Sequence, residues 1–192
     1  MVLRPLEKNT LHLTGLEQAS LNAESAFNAA FSPAYAQHPE LYRHTWAAAA
    51  ILHCDILRYV VSYEHATRQG LVRLLWMGDI VSMLYEAREW FLRTGGPNLM
   101  KIASLTGDDI EKVQADLKQI KKLYPLDGID FYRDFRNKVG HHYDPSFVLH
   151  LHEFSRSDPK NFFEVLNNYV GFSSGWIALC KRVLTHGSMP ET

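Results

Sequence analysis

The side chains best suited to chemistry lie together in one stretch, RDFRNKVGHHYD, which runs from residue 133 to residue 144. It holds a permanent cation, two imidazoles, a phenol and a carboxylate: Arg136, His141, His142, Tyr143 and Asp144. The phosphate-binding loops, dinucleotide fingerprints, zinc-protease helices and serine-hydrolase elbows that mark common enzymes have no counterpart in the sequence. This stretch is therefore the candidate site.

These residue types match the needs of RNA cleavage without a metal. Such a reaction needs a base to take the 2′-hydroxyl proton, an acid to protonate the departing 5′-oxygen, and a cation to balance charge on the phosphate. Imidazole titrates near neutrality and serves in either protonation state, while a guanidinium stays charged and pairs with phosphate through two donors. Arg136 and His141 are the predicted catalytic pair.

The spacing of this pair requires a break in the helix between them. Five residues of ideal helix turn through about 500°, so Arg136 and His141 would point about 140° apart on a continuous helix. A left-handed Gly140 at the helix end would let His141 turn towards a phosphate held by Arg136. The sequence thus predicts a helix that ends between the two residues.

The run Arg136-Asn137-Lys138-Val139-Gly140-His141 resembles the Arg-x4-6-His signature of the HEPN superfamily, all-α domains of toxins, abortive-infection proteins and RNA-processing nucleases. Asn137 fits the polar residue that commonly follows the arginine in that family. Tyr143 extends the match to Arg-x4-His-x-Tyr, a form found in toxins paired with a small nucleotidyltransferase antitoxin. The match covers about a dozen residues.

The resemblance implies a metal-independent endoribonuclease, toxin or phage-defence related, that acts as a homodimer. Two copies of the motif would face each other across the interface, and the cut would leave a 2′,3′-cyclic phosphate and a 5′-hydroxyl. The toxin form implies in addition that a nucleotidyltransferase partner blocks the site by adding AMP to Tyr143. RNA, a second copy of the chain and such an antitoxin are the expected partners, and no cofactor is expected.

Each of these residues also has a purely structural interpretation. Arg136 would pair with Asp130, Asp134 or Asp144 on a solvated face. His142 and Asp144 would cap or brace a loop, and Tyr143 would pack under the end of the bundle. The rival function from another class is a non-catalytic helical module that binds a nucleotide or a protein partner.

A metal site among His141, His142, His150 and His152 is the other chemical possibility, because imidazole is a common zinc ligand. Adjacent histidines rarely chelate one ion, and no His-x3-His pair occurs among these four. We therefore predict no metal. His53 and His65 are interpreted as satisfied residues within the second helix.

Helical periodicity dominates the chain and predicts an all-α bundle of four long helices plus short ones, in a single domain over residues 1–192. The first long helix is expected to end at Ser32-Pro33, and the other three are expected to span residues 41–67, 70–93 and 160–184. The third should stop at Gly95-Gly96-Pro97 and be buried through its apolar first half. Residues 1–38 are an added N-terminal element relative to a compact HEPN core, and residues 187–192 a disordered tail.

Shorter elements are expected between the last two long helices. A helix over residues 98–105 precedes one whose first turn contains the acidic Asp108-Asp109 and which ends near Tyr124. Helical spacing resumes from Ile129 to Val139. Residues 147–154 alternate leucine with histidine, a pattern that fits a short strand or an irregular segment.

Composition limits the kinds of ligand, cross-link and cellular location that are expected. The 20 basic and 21 acidic residues give a formal charge of −1, so the chain has no general basic field, and any RNA contact must be local. Two cysteines, Cys54 and Cys180, build neither a disulfide framework nor a cysteine zinc site. The absence of a secretory signal and of a sustained apolar span predicts a cytoplasmic protein.

Overall fold

A computed structural model describes residues 5–33, 39–65, 70–137, 146–155 and 159–186 of the chain. Those residues form an all-α fold, as the periodicity predicts. The helices are α1 (Pro5–Phe31), α2 (Glu40–His65), α3 (Gly70–Glu89), α4 (Gly96–Thr106), α5 (Ile110–Leu123), α6 (Arg133–Phe135), α7 (Phe147–Ser155) and α8 (Pro159–His186). The longest are α1, α2, α3 and α8, in agreement with the expected four long helices.

The main core forms where α2, α4 and α5 pack around the long helix α8 and α3 packs against α2. Its largest fully buried side chains are aromatic and meet edge to face, as ring quadrupoles favour. Trp176 of α8, for example, contacts both Trp90 and Phe91. None of the helices in the described ranges combines the length and apolar character needed to cross a bilayer.

Helix α1 packs on α2 through alanines. Ala19, Ala23, Ala26 and Ala30 recur at spacings of four and three along α1, and all are buried. The last three form a cluster with Ala47 and Ala50 of α2. Small side chains let the two backbones approach closely. Phe27 and Phe31 of α1 are exposed.

Glycines give the same close approach between α5 and α8. A Cβ at Gly171 would overlap the Tyr124 ring, and one at Gly175 would lie 3.3 Å from Cγ2 of Ile120. The two glycines are four residues apart and so share a face of α8. They determine how near α5 can lie.

The expectation that the third long helix stops at Gly95-Gly96-Pro97 is wrong. The chain continues through a π-helical turn, Trp90–Gly95, directly into α4, with Pro97 in the first turn of α4. Proline is tolerated there because its missing amide hydrogen has no partner to lose in a first turn. Gly95 is required because a Cβ would lie 2.7 Å from the Trp90 ring.

The expected burial of the first half of α3 is also wrong. Leu71, Val72 and Leu75 are exposed, whereas the buried residues begin at Met77. An apolar composition does not fix burial, because other elements must cover the helix. In the first half Leu74 and Trp76 pack against the core, whereas Leu71, Val72 and Leu75 are left exposed.

Residues 147–155 form a helix rather than a strand. Phe147 and Leu151 point inward, four residues apart, while Val148 and Leu149 are exposed. The amides of Leu149 and His150 both donate to the Ser146 carbonyl, which starts the helix. The leucine alternation is thus unrelated to the burial pattern.

Two turns on either side of α5 position the candidate site. Gly107 ends α4 in the left-handed conformation (φ 73°), and the Asp109 carboxylate caps α5 by accepting from the Lys112 amide at 3.1 Å. After α5 the chain forms a 3₁₀ segment, Asp127–Tyr132, followed by the single turn α6. Ile129, Tyr132 and Phe135 are buried at a spacing of three, as a 3₁₀ geometry requires.

Candidate functional site

The structure describes two of the six predicted site residues. Arg136 and Asn137 directly follow α6, in π-helical backbone, and Asn137 is exposed. His141, His142, Tyr143 and Asp144 lie outside the described residues, as does the predicted break at Gly140. The site is therefore built here from Arg136 and its surroundings.

Arg136 is held against the outer face of α3. Its Nη2 donates to Oε1 of Glu86 at 3.0 Å, and its guanidinium carbon lies 4.9 Å from the centroid of the Tyr85 ring. The side chain is 32% exposed and that of Glu86 is 74% exposed. An ion pair open to water is weak, so the ring contact and the partly buried stem also hold Arg136 in place.

The observed partner of Arg136 differs from the partners that its structural interpretation proposes. That interpretation pairs it with Asp130, Asp134 or Asp144, whereas the carboxylate found is fifty residues earlier on α3. The Nε atom of Arg136 is buried and has no hydrogen-bond partner among the described residues. One donor of the guanidinium is thus left unsatisfied within this part of the chain.

Asp130 is the centre of the adjoining network. Its two oxygens accept from Nη1 and Nη2 of Arg88 at 3.1 and 3.2 Å, and Oδ1 also accepts from Arg133 at 3.0 Å. The hydrogen bond from Arg88 is the largest cause of an Asp130 pKa lowered to about 2. Asp130 therefore stays ionised at neutral pH and fastens the 3₁₀ segment to α3.

Tyr85 links the two halves of the cluster. Its hydroxyl lies 3.2 Å from both the Ile129 carbonyl and Oδ1 of Asp130, and burial raises its pKa. Two guanidiniums contact its ring, those of Arg88 at 5.1 Å and Arg136 at 4.9 Å. The ring thus sets the positions of two of the three arginines.

The cluster carries positive charge in a chain of net charge −1. Its contacts join three guanidiniums, Arg88, Arg133 and Arg136, to two carboxylates, Glu86 and Asp130. Three positive and two negative charges leave one in excess, so this surface suits an anion such as phosphate. The cluster holds no imidazole among its described members, so proton transfer would have to come from His141 or His142.

Sequence reasoning missed Tyr85, Glu86 and Arg88 as parts of this cluster. It named Asp130, but as a partner of Arg136 rather than of Arg88 and Arg133. One signal was present: Arg88 lies four residues after Leu84 and three before Phe91, at helical spacing from two apolar residues, and a charge that becomes buried needs a partner. Its side chain is only 17% exposed. Which carboxylate pairs with it depends on how the 3₁₀ segment packs on α3, which periodicity does not reveal.

His150, one of the four histidines considered as metal ligands, has local partners. His150 contacts the Ser146 hydroxyl through Nε2 at 3.0 Å and Glu153 through Nδ1 at 3.3 Å. Within the described ranges, no group of three or more His, Cys, Asp or Glu side chains is arranged to hold a metal ion. Cys54 and Cys180 are free thiols.

Comparison with known proteins gives no relative from which to transfer a role. The chain matches no protein-family model, no curated protein and no solved structure.

Proposed function

We propose that the protein is a metal-independent endoribonuclease of HEPN type, toxin or phage-defence related, that cuts RNA at a composite Arg136 and His141 site. The observation that carries the proposal is the partly exposed Arg136 guanidinium, fixed by Glu86 and Tyr85 within a surface of excess positive charge. That surface offers the local phosphate contact that a chain without a general basic field requires.

In this proposal Arg136 balances the charge that builds up on the phosphate. An imidazole of His141, or of the adjacent His142, takes the 2′-hydroxyl proton, and the 2′-oxygen attacks phosphorus. A second imidazole protonates the 5′-oxygen as its bond to phosphorus breaks. Asn137 and Asp144 have supporting roles beside them.

A homodimer follows from the number of groups that the reaction uses. One motif supplies one candidate phosphate cation and adjacent imidazoles, whereas a two-fold interface doubles each. The proposed axis therefore passes near Gly140. Sedimentation at micromolar concentration should show a dimer, and a monomer would contradict this part of the proposal.

The decisive experiment is cleavage of single-stranded RNA in EDTA by the full chain and its variants. Loss of an imidazole that transfers protons should cost about 10²–10⁴-fold in rate in His141→Ala. Arg136→Ala should lose about 10²–10³-fold, as when one charge-stabilising donor is removed. The matched control is Arg93→Ala, which removes an exposed arginine that pairs with Glu89 on the surface.

Activity retained in either folded variant, or a strict need for a divalent metal, would overturn the catalytic assignment. The rival is a non-catalytic module that binds a nucleotide or protein partner. One observation favours it: Glu86 already accepts from Nη2 of Arg136, as it would in a structural ion pair. Binding of RNA or a nucleotide without cleavage would support that rival.

The most specific part of the proposal is control of the nuclease by an antitoxin. AMP on Tyr143 would place negative charge beside Arg136 and exclude a substrate phosphate. Mass spectrometry of protein co-expressed with its genomic neighbour tests this. Unmodified Tyr143, or a Tyr143→Phe variant that the neighbour still neutralises, would remove the antitoxin and leave the nuclease proposal standing.

A further inference from the structure

A polar cleft lies between α1, α2 and α8, on residues separate from the Arg136 cluster. Its volume is about 220 Å³. Four polar side chains line it: Asn22 from α1, His53 from α2, and Ser174 and Lys181 from α8. Drug-sized ligands occupy pockets of about 300–1,000 Å³, so this cleft suits a smaller molecule.

Small side chains border the cleft on all three helices. Ala19, Ala50 and Ala178 come from α1, α2 and α8 respectively. Their short side chains leave the space of about 220 Å³ free for a small ligand. Ile177 adds an apolar surface.

A serine hydroxyl beside His53 favours one tautomer of its ring. Oγ of Ser173 lies 2.8 Å from the Tyr169 carbonyl oxygen, 3.2 Å from that of Val170 and 2.7 Å from Nδ1 of His53. A helical serine commonly donates its one proton to the carbonyl of the preceding turn, and its oxygen then accepts from Nδ1. In this arrangement Nδ1 carries the ring proton and Nε2 is an acceptor.

Burial keeps this ring neutral, because desolvation lowers the pKa of His53 to about 4. Lys181 then supplies the positive charge of the lining, and no carboxylate is among the described residues that line the cleft. The lining contains no arginine either, the side chain best shaped to pair with a phosphate. One ammonium and one neutral acceptor match a single negative charge and a single hydrogen-bond donor.

We propose that this cleft is a binding site for a small organic monoanion that carries a hydroxyl group, a hydroxycarboxylate. Its carboxylate accepts from the Lys181 ammonium, its hydroxyl donates to Nε2 of His53, and its carbon skeleton lies on the alanines and Ile177. Asn22 and Ser174 provide further hydrogen bonds. The site does not depend on Arg136 or on nuclease activity.

The probe is 3-hydroxybenzoate, titrated into the full chain and followed by amide chemical shifts in NMR spectra. Benzoate lacks the donor and 3-hydroxybenzamide lacks the charge, so each should bind about tenfold or more weakly, the usual effect of losing such a hydrogen bond. Saturable shifts should be confined to α1, α2 and α8 around the cleft. The ring ¹⁵N shifts of His53 in the free protein should show the proton on Nδ1.

Two variants complete the test. Ala178→Phe places a ring in the cleft from an exposed position and should abolish binding, and Lys181→Met should weaken it about tenfold or more. Lys118→Met, an exposed lysine of α5, is the matched control and should bind as the unaltered chain does. Absence of saturable shifts, unchanged binding in Ala178→Phe, or a His53 proton on Nε2 would overturn the proposal.

Discussion

Arg136 and Glu86 join α6 to α3 across fifty residues of sequence, with Nη2 of the arginine 3.0 Å from Oε1 of the glutamate. In the proposed function, the carboxylate occupies the donor that a substrate phosphate oxygen would contact. Glu86 is mostly exposed, so the pair sits in water rather than in the core. A pair of this kind is readily exchanged for another anion.

The first prediction concerns this pair. Glu86→Gln should cost less than about 1 kcal/mol of unfolding free energy, and its coupling to Arg136→Ala in a double-mutant cycle should be about 0.2–1 kcal/mol, as for exposed ion pairs. Urea denaturation measures both. The Arg93 and Glu89 surface pair is the reference cycle, and a coupling several times larger would mean that the Arg136 pair is chiefly structural.

The same substitution tests the proposed phosphate contact. Removing one negative charge near Arg136 should tighten binding of 2′-O-methyl RNA, which cannot be cleaved, by about fivefold at low salt. Fluorescence anisotropy at two salt concentrations measures the change. Weaker binding in Glu86→Gln would mean that the carboxylate orients Arg136 instead of competing with the ligand.

The second prediction concerns Asp130. Asp130→Asn removes the charge that two arginines share and leaves the mostly buried Arg88 without its carboxylate, so the variant should lose about 1–3 kcal/mol of stability. Asp55→Asn removes a carboxylate from a surface pair with Arg58 and should cost about 0.5 kcal/mol or less. Equal losses in the two variants would contradict the central role of Asp130.

The third prediction concerns the contact between α5 and α8. A methyl group at Gly171 would overlap the Tyr124 ring, so Gly171→Ala should destabilise the fold by about 1–3 kcal/mol despite the better helix propensity of alanine. At Gly15 a Cβ would have no neighbour closer than 4.0 Å, so Gly15→Ala should be neutral or stabilising by up to about 1 kcal/mol. Thermal denaturation of both variants measures the difference, and stabilisation by Gly171→Ala would show that α5 packs further from α8.

The fourth prediction concerns pH. The pKa of His53 is lowered to about 4 in the fold, against about 6.5 in the unfolded chain, so between these values the unfolded state binds more protons. The His53 contribution to stability is therefore complete above about pH 6.5 and falls as the pH drops towards 4. Urea denaturation at pH 7 and pH 5 should show less loss for His53→Gln than for the unaltered chain, and identical losses would mean that His53 titrates normally.

The sequence alone was sufficient for the fold class and for most helix bounds. Periodicity and capping act within a few residues, and they predicted α5 up to Tyr124, the helix that follows Pro159, and the helical spacing that resumes at Ile129. The residue types of the stretch 133–144 singled out Arg136. The remaining motif residues, His141 to Asp144, stay predictions.

Tertiary packing decided what the local pattern left undetermined. Gly95 lies within a continuing helix, where the Trp90 ring occupies the space that a side chain at position 95 would need. The exposure of Leu71 depends on which other elements cover α3. The partners of Arg136 and Arg88 come from elements far apart in sequence, as do the walls of the His53 cleft. Local periodicity indicates which segments are helical, whereas the burial of each face and the contacts between distant side chains arise only when the helices pack.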